Sequence, residues 1–298
     1  MGDECFSNDV KEQVQSGGVS VLSLFEDGRI RSWNCLRLWF SRVFSDIGEF
    51  PFDRRVLIVV SLRMSKVDWE FLTQMFFEEF EVLSLAISHG DPLVLFTNSH
   101  TSGTIVDFGY SSVRIVPVFE GSIQHAAVQY HPFAAQALVE ELAKIHAHDT
   151  PSLKELDLLL LHLHEMEEKY LKNYSLTAQP QVTDCWWQSD HQLSMSIALP
   201  KLIQLSLSCC ERERRETLQS CVMLVGGLVP LGHLAERLEK ELAAIFPEGA
   251  APKLVRPDNY DAFWSAAAVL SALPKELRSL SITRQDYHER GPPSIHGK

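Results

Sequence analysis

The sequence lacks a surplus of positive charge. Its 298 residues carry 27 Lys and Arg against 39 Asp and Glu, a formal net charge of -12 at pH 7. Nothing is left over to neutralise phosphodiesters, so direct nucleic-acid binding is not expected. Long apolar runs are missing too. The densest, RRVLIVVSL over 54–62, opens on two arginines and falls far short of the roughly 20 residues that a membrane helix needs, so no membrane partner is expected. Cysteine is sparse and unpatterned: six residues with no C-x-x-C, while the opening MGDECFSNDV has neither a basic nor an apolar leader region. The expected location is therefore the reducing cytoplasm, with the nucleus as a second. There is no G-x-S-x-G elbow, which removes the serine-hydrolase reading. The pairs His146/His148 and His162/His164 sit at i, i+2, where helical side chains diverge, so no metal site is expected. What remains, 45% hydrophobic and 22% charged, is the balance of an ordinary globular protein of one or two domains.

The chain alternates strand and helix signals. VSVLSLFEDGRI (19–30) reads as a strand pair turning at Asp27-Gly28. SWNCLRLWFSRVFSDI (32–47) has Trp33, Leu36, Trp39, Phe40 and Phe44 at helical spacing behind Ser32 as N-cap. RRVLIVVSL is a β-branched run expected to be covered on both faces, and SKVDWEFLTQMFFEEF (65–80) a helix opened by Ser65 with Asp68 three residues on. DPLVLFTN (91–98) is expected as a further strand leading into a hairpin, TIVDF and VRIVPV, joined by a turn that carries Asp107 and Gly109. Helical segments follow over 132–147, 152–174 and 199–209. Near the end, a strand at Cys221–Val225 meets the glycines Gly226 and Gly227, with the start of an amphipathic helix expected behind them. Such a turn lets backbone approach a ligand closely, although double glycines also occur simply to fit elements together. The expected class is α/β, with helices packed on mixed sheets. Among other features, CERERRE (210–216) reads as a solvated helix face. The pair Trp186-Trp187 is open between an exposed partner site and core packing under a loop.

Three of these stretches together resemble the actin and actin-related protein family. IVDFGYSSVRIVPVFEG is similar to the family's second phosphate loop, an Asp-x-Gly turn followed by V-P-x-aromatic-E-G. MLVGGLVPLGHLAERLEKEL resembles its adenosine motif, and SLSITRQDYHERGPPSI its C-terminus, with the I-[ST]-[KR]-Q-[ED]-Y and G-P-S-I elements. Upstream, DGRIRSWNCLRLWFSRVF is similar to the family's G-I-x-x-x-W helix, and residues 56–82 to its strand, linker and M-F-E-x-F helix, so the likeness runs in order over about 20–295. It implies the two-lobed fold shared with sugar kinases and heat-shock ATPases. The first lobe would be residues 1–97 with 262–298, the second residues 98–261, holding the hairpin and the Gly-Gly turn. Nucleotide-binding positions carried over are Asp107, Gly109, Gly226 and Gly227, with Glu167 and Glu168 near the family's Lys-Glu pair.

Departures from the pattern fall on the phosphate side. The family's first phosphate loop, D-[NS]-G-[ST]-G, has no counterpart in the sequence, so the first lobe is expected to be incomplete. In the second loop Tyr110 stands where the family has an acid and Ser111 where it has glycine. The water-positioning glutamine and histidine of the family correspond to Gly90 and Arg114; glycine has no side chain, and arginine stays protonated. The expectation is a chain with no catalytic residues that holds ATP or ADP weakly or not at all. It would act as a structural or interaction subunit whose partners are actin, other actin-related proteins or further subunits of a cytoskeletal or nuclear complex. The alternative is a working ATPase whose first loop is missing from the gene model.

Overall fold

Serine side chains start the first two helices, and their placement fixes where the early elements begin. The computed structural model describes residues 24–26, 28–137, 186–187, 197–229, 234–257 and 261–297. These residues fall into two compact units, one running to Val94 and resuming at Phe263, the other spanning Leu95 to Ala262.

In the first unit, β1 (Phe25–Glu26) and β2 (Arg29–Ile30) pair antiparallel around Gly28, whose φ of 73° suits glycine. The Ser32 hydroxyl then accepts from the Cys35 N–H and caps α1 (Trp33–Asp46). β3 (Arg55–Val60) leads to α2 (Lys66–Gln74), where Ser65 and Asp68 form the full reciprocal capping box. One π-helical turn, Met75–Glu79, continues it and sets Phe76, Phe77 and Phe80 inward. β4 (Ser84–His89) lies parallel to β3.

Two expectations are corrected at this point. DPLVLFTN is not a strand but the body of a helix, α3 (Gly90–Thr97). Pro92 stands in its first turn, where a missing N–H is harmless. The strand lies just before it, in SLAISH, whose serines obscure an otherwise buried run. RRVLIVVSL forms a strand, yet it is the edge of a three-stranded sheet whose other strands are β4 and Ser281–Thr283, and only Val60 is buried, so it is not covered on both faces.

The second unit is built on a six-stranded mixed sheet. β5 (Gly103–Phe108) and β6 (Val113–Phe119) form the antiparallel hairpin; β7 (Ser122–Ile123) and β8 (Gln129–His131) both pair with β6. α4 (Leu199–Ser208) and α5 (Arg212–Gln219) precede β9 (Val222–Val225), which runs parallel to β5. α6 (Leu234–Ile245) and β10 (Leu254–Val255), parallel to β9, complete it. The core joins Val106, Phe108 and Ile115 to Ile203, Leu224 and Leu238. Trp186 belongs to that core: its Nε1–H donates to the Phe133 carbonyl at 2.9 Å and its ring meets Phe108 edge-on. Core packing is thus the reading that holds for the tryptophan pair, with Trp187 half-buried beside it and covered by Arg237. α5 is largely solvated and buries Leu218, as a mixed-charge face should.

After α7 (Ala262–Ser271) the chain completes the first unit with α8 (Pro274–Leu280), β11 (Ser281–Thr283), antiparallel to β4, and α9 (Arg284–Arg290). Thr283 and Asp286 form a second capping box. Tyr287 stacks on Phe77 and donates its hydroxyl to Glu78 at 2.6 Å, tying the terminal helix to the core of Leu36, Leu72, Phe76 and Leu85.

Candidate functional site

The β5-β6 hairpin closes at Phe108 and Val113, which forces Asp107 opposite Arg114. Directly opposed residues of an antiparallel pair project to the same face, and the two side chains meet. Arg114 Nε and Nη2 both donate to Asp107 Oδ2, at 3.0 and 2.5 Å, with each side chain only 12% exposed. On its other side β5 runs beside β9, and Asp107 is level with Val225, the last residue before the double glycine. Asp107 and Gly226 are therefore neighbours. A Cβ at Gly226 would sit 2.8 Å from Asp107 Oδ1 and 2.4 Å from the Phe108 carbonyl oxygen, and its φ is 102°. Both space and conformation demand glycine there, and the groups that demand it are protein atoms.

Of the four positions carried over for nucleotide binding, the fold brings Asp107, Gly109 and Gly226 to one end of this sheet. At Gly109 a Cβ would approach the Ser112 carbonyl oxygen to 3.0 Å, as a tight turn requires. The Gly109 and Tyr110 carbonyls accept from the N–H groups of Ala135 and Gln136, which hold the turn against the following segment. Tyr110 is partly exposed at the tip. Gly227 is exposed in the turn after β9, where the Val229 N–H closes back on the Gly226 carbonyl. Residues 227–229 form a turn rather than the first turn of a helix, α6 covers Leu234–Ile245, and Gly226 packs against the hairpin. Glu167, Glu168, and the four histidines of the H-x-H pairs lie outside the described residues. Among the described residues no group of three or more His, Cys, Asp and Glu is placed to hold a metal ion, and no helix is long and apolar enough to cross a membrane.

Chemically, the pair puts a guanidinium where a metal-bound phosphate would need an available carboxylate. Magnesium is held through one or two carboxylates and several waters; here one oxygen of Asp107 carries two charge-assisted hydrogen bonds and the other faces the Gly226 backbone. Arginine neither accepts a proton nor yields its charge, so Arg114 offers no general base. In the first unit Gly90 opens α3 under a tight lid. A Cβ there would lie 2.4 Å from a ring atom of Phe263 and 2.8 Å from the Val59 side chain. A side chain able to orient water could enter only by displacing both.

The partner of Asp107 was missed in the sequence, where Arg114 reads only as a lost histidine. The signal was present: positions 107 and 114 sum to the same register as 108 and 113, so any hairpin closing at that turn juxtaposes the two opposite charges.

Compared with known proteins, the chain matches the sequence model of the actin family over residues 3–159 and 159–298. That match and the two α/β units, with mixed sheets flanked by helices, give the actin-type two-lobed fold.

Proposed function

The chain belongs to the actin family, and we propose that within it the protein is a non-hydrolysing structural or interaction subunit. The observation that carries this reading is the Arg114–Asp107 ion pair: the acid of the second phosphate loop is engaged by a cation of the chain itself. Tyr110 at the turn and the filled space around Gly90 point the same way. With Asp107 held by Arg114 rather than offered to a metal-nucleotide, the retained framework serves to present surfaces. Its partners on this reading are actin, other actin-related proteins or the remaining subunits of a complex, in the cytoplasmic cytoskeleton or the nucleus. ATP or ADP is held weakly or not at all.

Phosphate release from Mg-ATP by the purified full chain tests the proposal. The expected result is no release above the protein-free blank, unchanged by Asp107→Asn. Steady turnover that Asp107→Asn abolishes would overturn it.

A further inference from the structure

In the first unit β11, β4 and β3 end together, and one row of residues crosses all three: Arg55 is paired with Ser84, and Ser84 with Thr283. With strands about 4.8 Å apart, the row is about 10 Å long. A groove of about 570 Å³ lies along it, completed by Leu277 and Arg278 of α8 and by Arg284 of α9. Its apolar lining comes from Leu277 and from Leu83, which is 40% exposed.

The charge in this groove opposes that of the chain. Three arginines line it against one acid, Asp286, on a protein of net charge -12. The Asp286 carboxylate is already engaged, accepting from the Thr283 N–H and hydroxyl and from Arg290. Arg284 is held by Asp53 and the Glu81 and Val82 carbonyls. Arg55 and Arg278 differ: among the described residues neither has an acidic partner, and both are exposed. Two guanidiniums with no acidic partner among the described residues, beside the exposed Leu83 and the half-buried Leu277, call for a ligand that brings carboxylates and apolar surface together. A free phosphate ion would leave the leucines uncovered. Three residues of extended chain also span about 10 Å, the length of the row.

We propose that this groove is a docking site for an acidic, partly apolar segment of a partner protein, lying across the strand ends with its carboxylates on Arg55 and Arg278. The site is separate from the hairpin of the second unit, and its test does not depend on whether nucleotide binds there.

The experiment is fluorescence anisotropy of the full chain with a labelled peptide of alternating Glu and Val, which favours an extended backbone. Binding that weakens with added salt, falls by about tenfold or more in Arg55→Glu/Arg278→Glu, and is lost when Gln replaces Glu in the peptide is the expected result. Circular dichroism checks that the double variant is folded; Arg278→Gln, on the exposed side of α8, gives the same readout where it is not. No binding of the Glu peptide, or equal binding by the charge-reversed protein, overturns the proposal. Displacement of the peptide by inorganic phosphate beyond the effect of chloride at equal ionic strength overturns it too, and assigns the groove to a phosphate-bearing ligand.

Discussion

Asp107 and Arg114 are shielded enough that each depends on the other for its charge to be tolerated. Asp107→Ala should therefore lower stability by about 3 kcal/mol, because it removes the carboxylate that faces a desolvated guanidinium. Asp107→Ala/Arg114→Leu should recover at least about 1 kcal/mol of that. A double-mutant cycle by urea unfolding measures the coupling, and additive losses would mean the pair is not formed. Gly226 makes a second demand at this scale. Gly226→Ala meets both the Phe108 carbonyl and a φ of 102°, whereas Gly121→Ala has a φ of 75° with nothing within 4 Å. The first should lose upwards of about 2 kcal/mol and the second about 1 kcal/mol; equal losses in thermal melts would contradict the packing described. Residue identities along the site were thus readable in the sequence, but their contacts were not. The glycine follows β9 but its neighbours come from β5, adjacent in the sheet yet more than a hundred residues away in the chain.

Legibility among the elements followed local chemistry. Ser32, and Ser65 with Asp68, cap their helices as the sequence indicates, because a cap is settled within four residues. The hairpin was equally plain, two β-branched runs around a short turn. SLAISH and DPLVLFTN were not, since short apolar runs carry no period that separates strand from helix. The exposure of β3 could not be read either, because edge position depends on which strands lie beside it. The second capping box gives an element-scale prediction. Hydrogen bonds from the Thr283 backbone and hydroxyl hold the Asp286 carboxyl below its usual range, with Arg290 adding to the effect. A carboxylate depressed in the folded state contributes stability that is present above its unfolded pKa of about 3.9 and lost as pH falls through the lower folded value. Asp286→Asn should cost most at pH 7, where the carboxylate is ionised, and progressively less below about pH 4, which flattens the acid limb of the stability curve. An unaltered acid limb in pH-dependent denaturation would show that the cap does not discriminate between the charge states.

At the scale of the whole molecule, the chain has the fold of its family, and the proposed reading is that its phosphate side is rebuilt. The mixed sheets, the Asp-x-Gly hairpin and the C-terminal elements are those of the actin family, and a fold of this kind hosts function only where a site is assembled on it. Here the strand order that brings β5, β6 and β9 together also brings Arg114 onto Asp107 and the hairpin onto Gly226. The same architecture therefore closes the turn on itself. Isothermal titration calorimetry of the full chain with ATP and with ADP, each with and without Mg²⁺, tests this account most directly. It predicts that any binding is weak, nearly equal for the two nucleotides and insensitive to Mg²⁺, because Asp107 is engaged by Arg114 rather than free to fix the metal. A Mg²⁺-dependent preference for ATP over ADP of tenfold, about 1.4 kcal/mol, would contradict it.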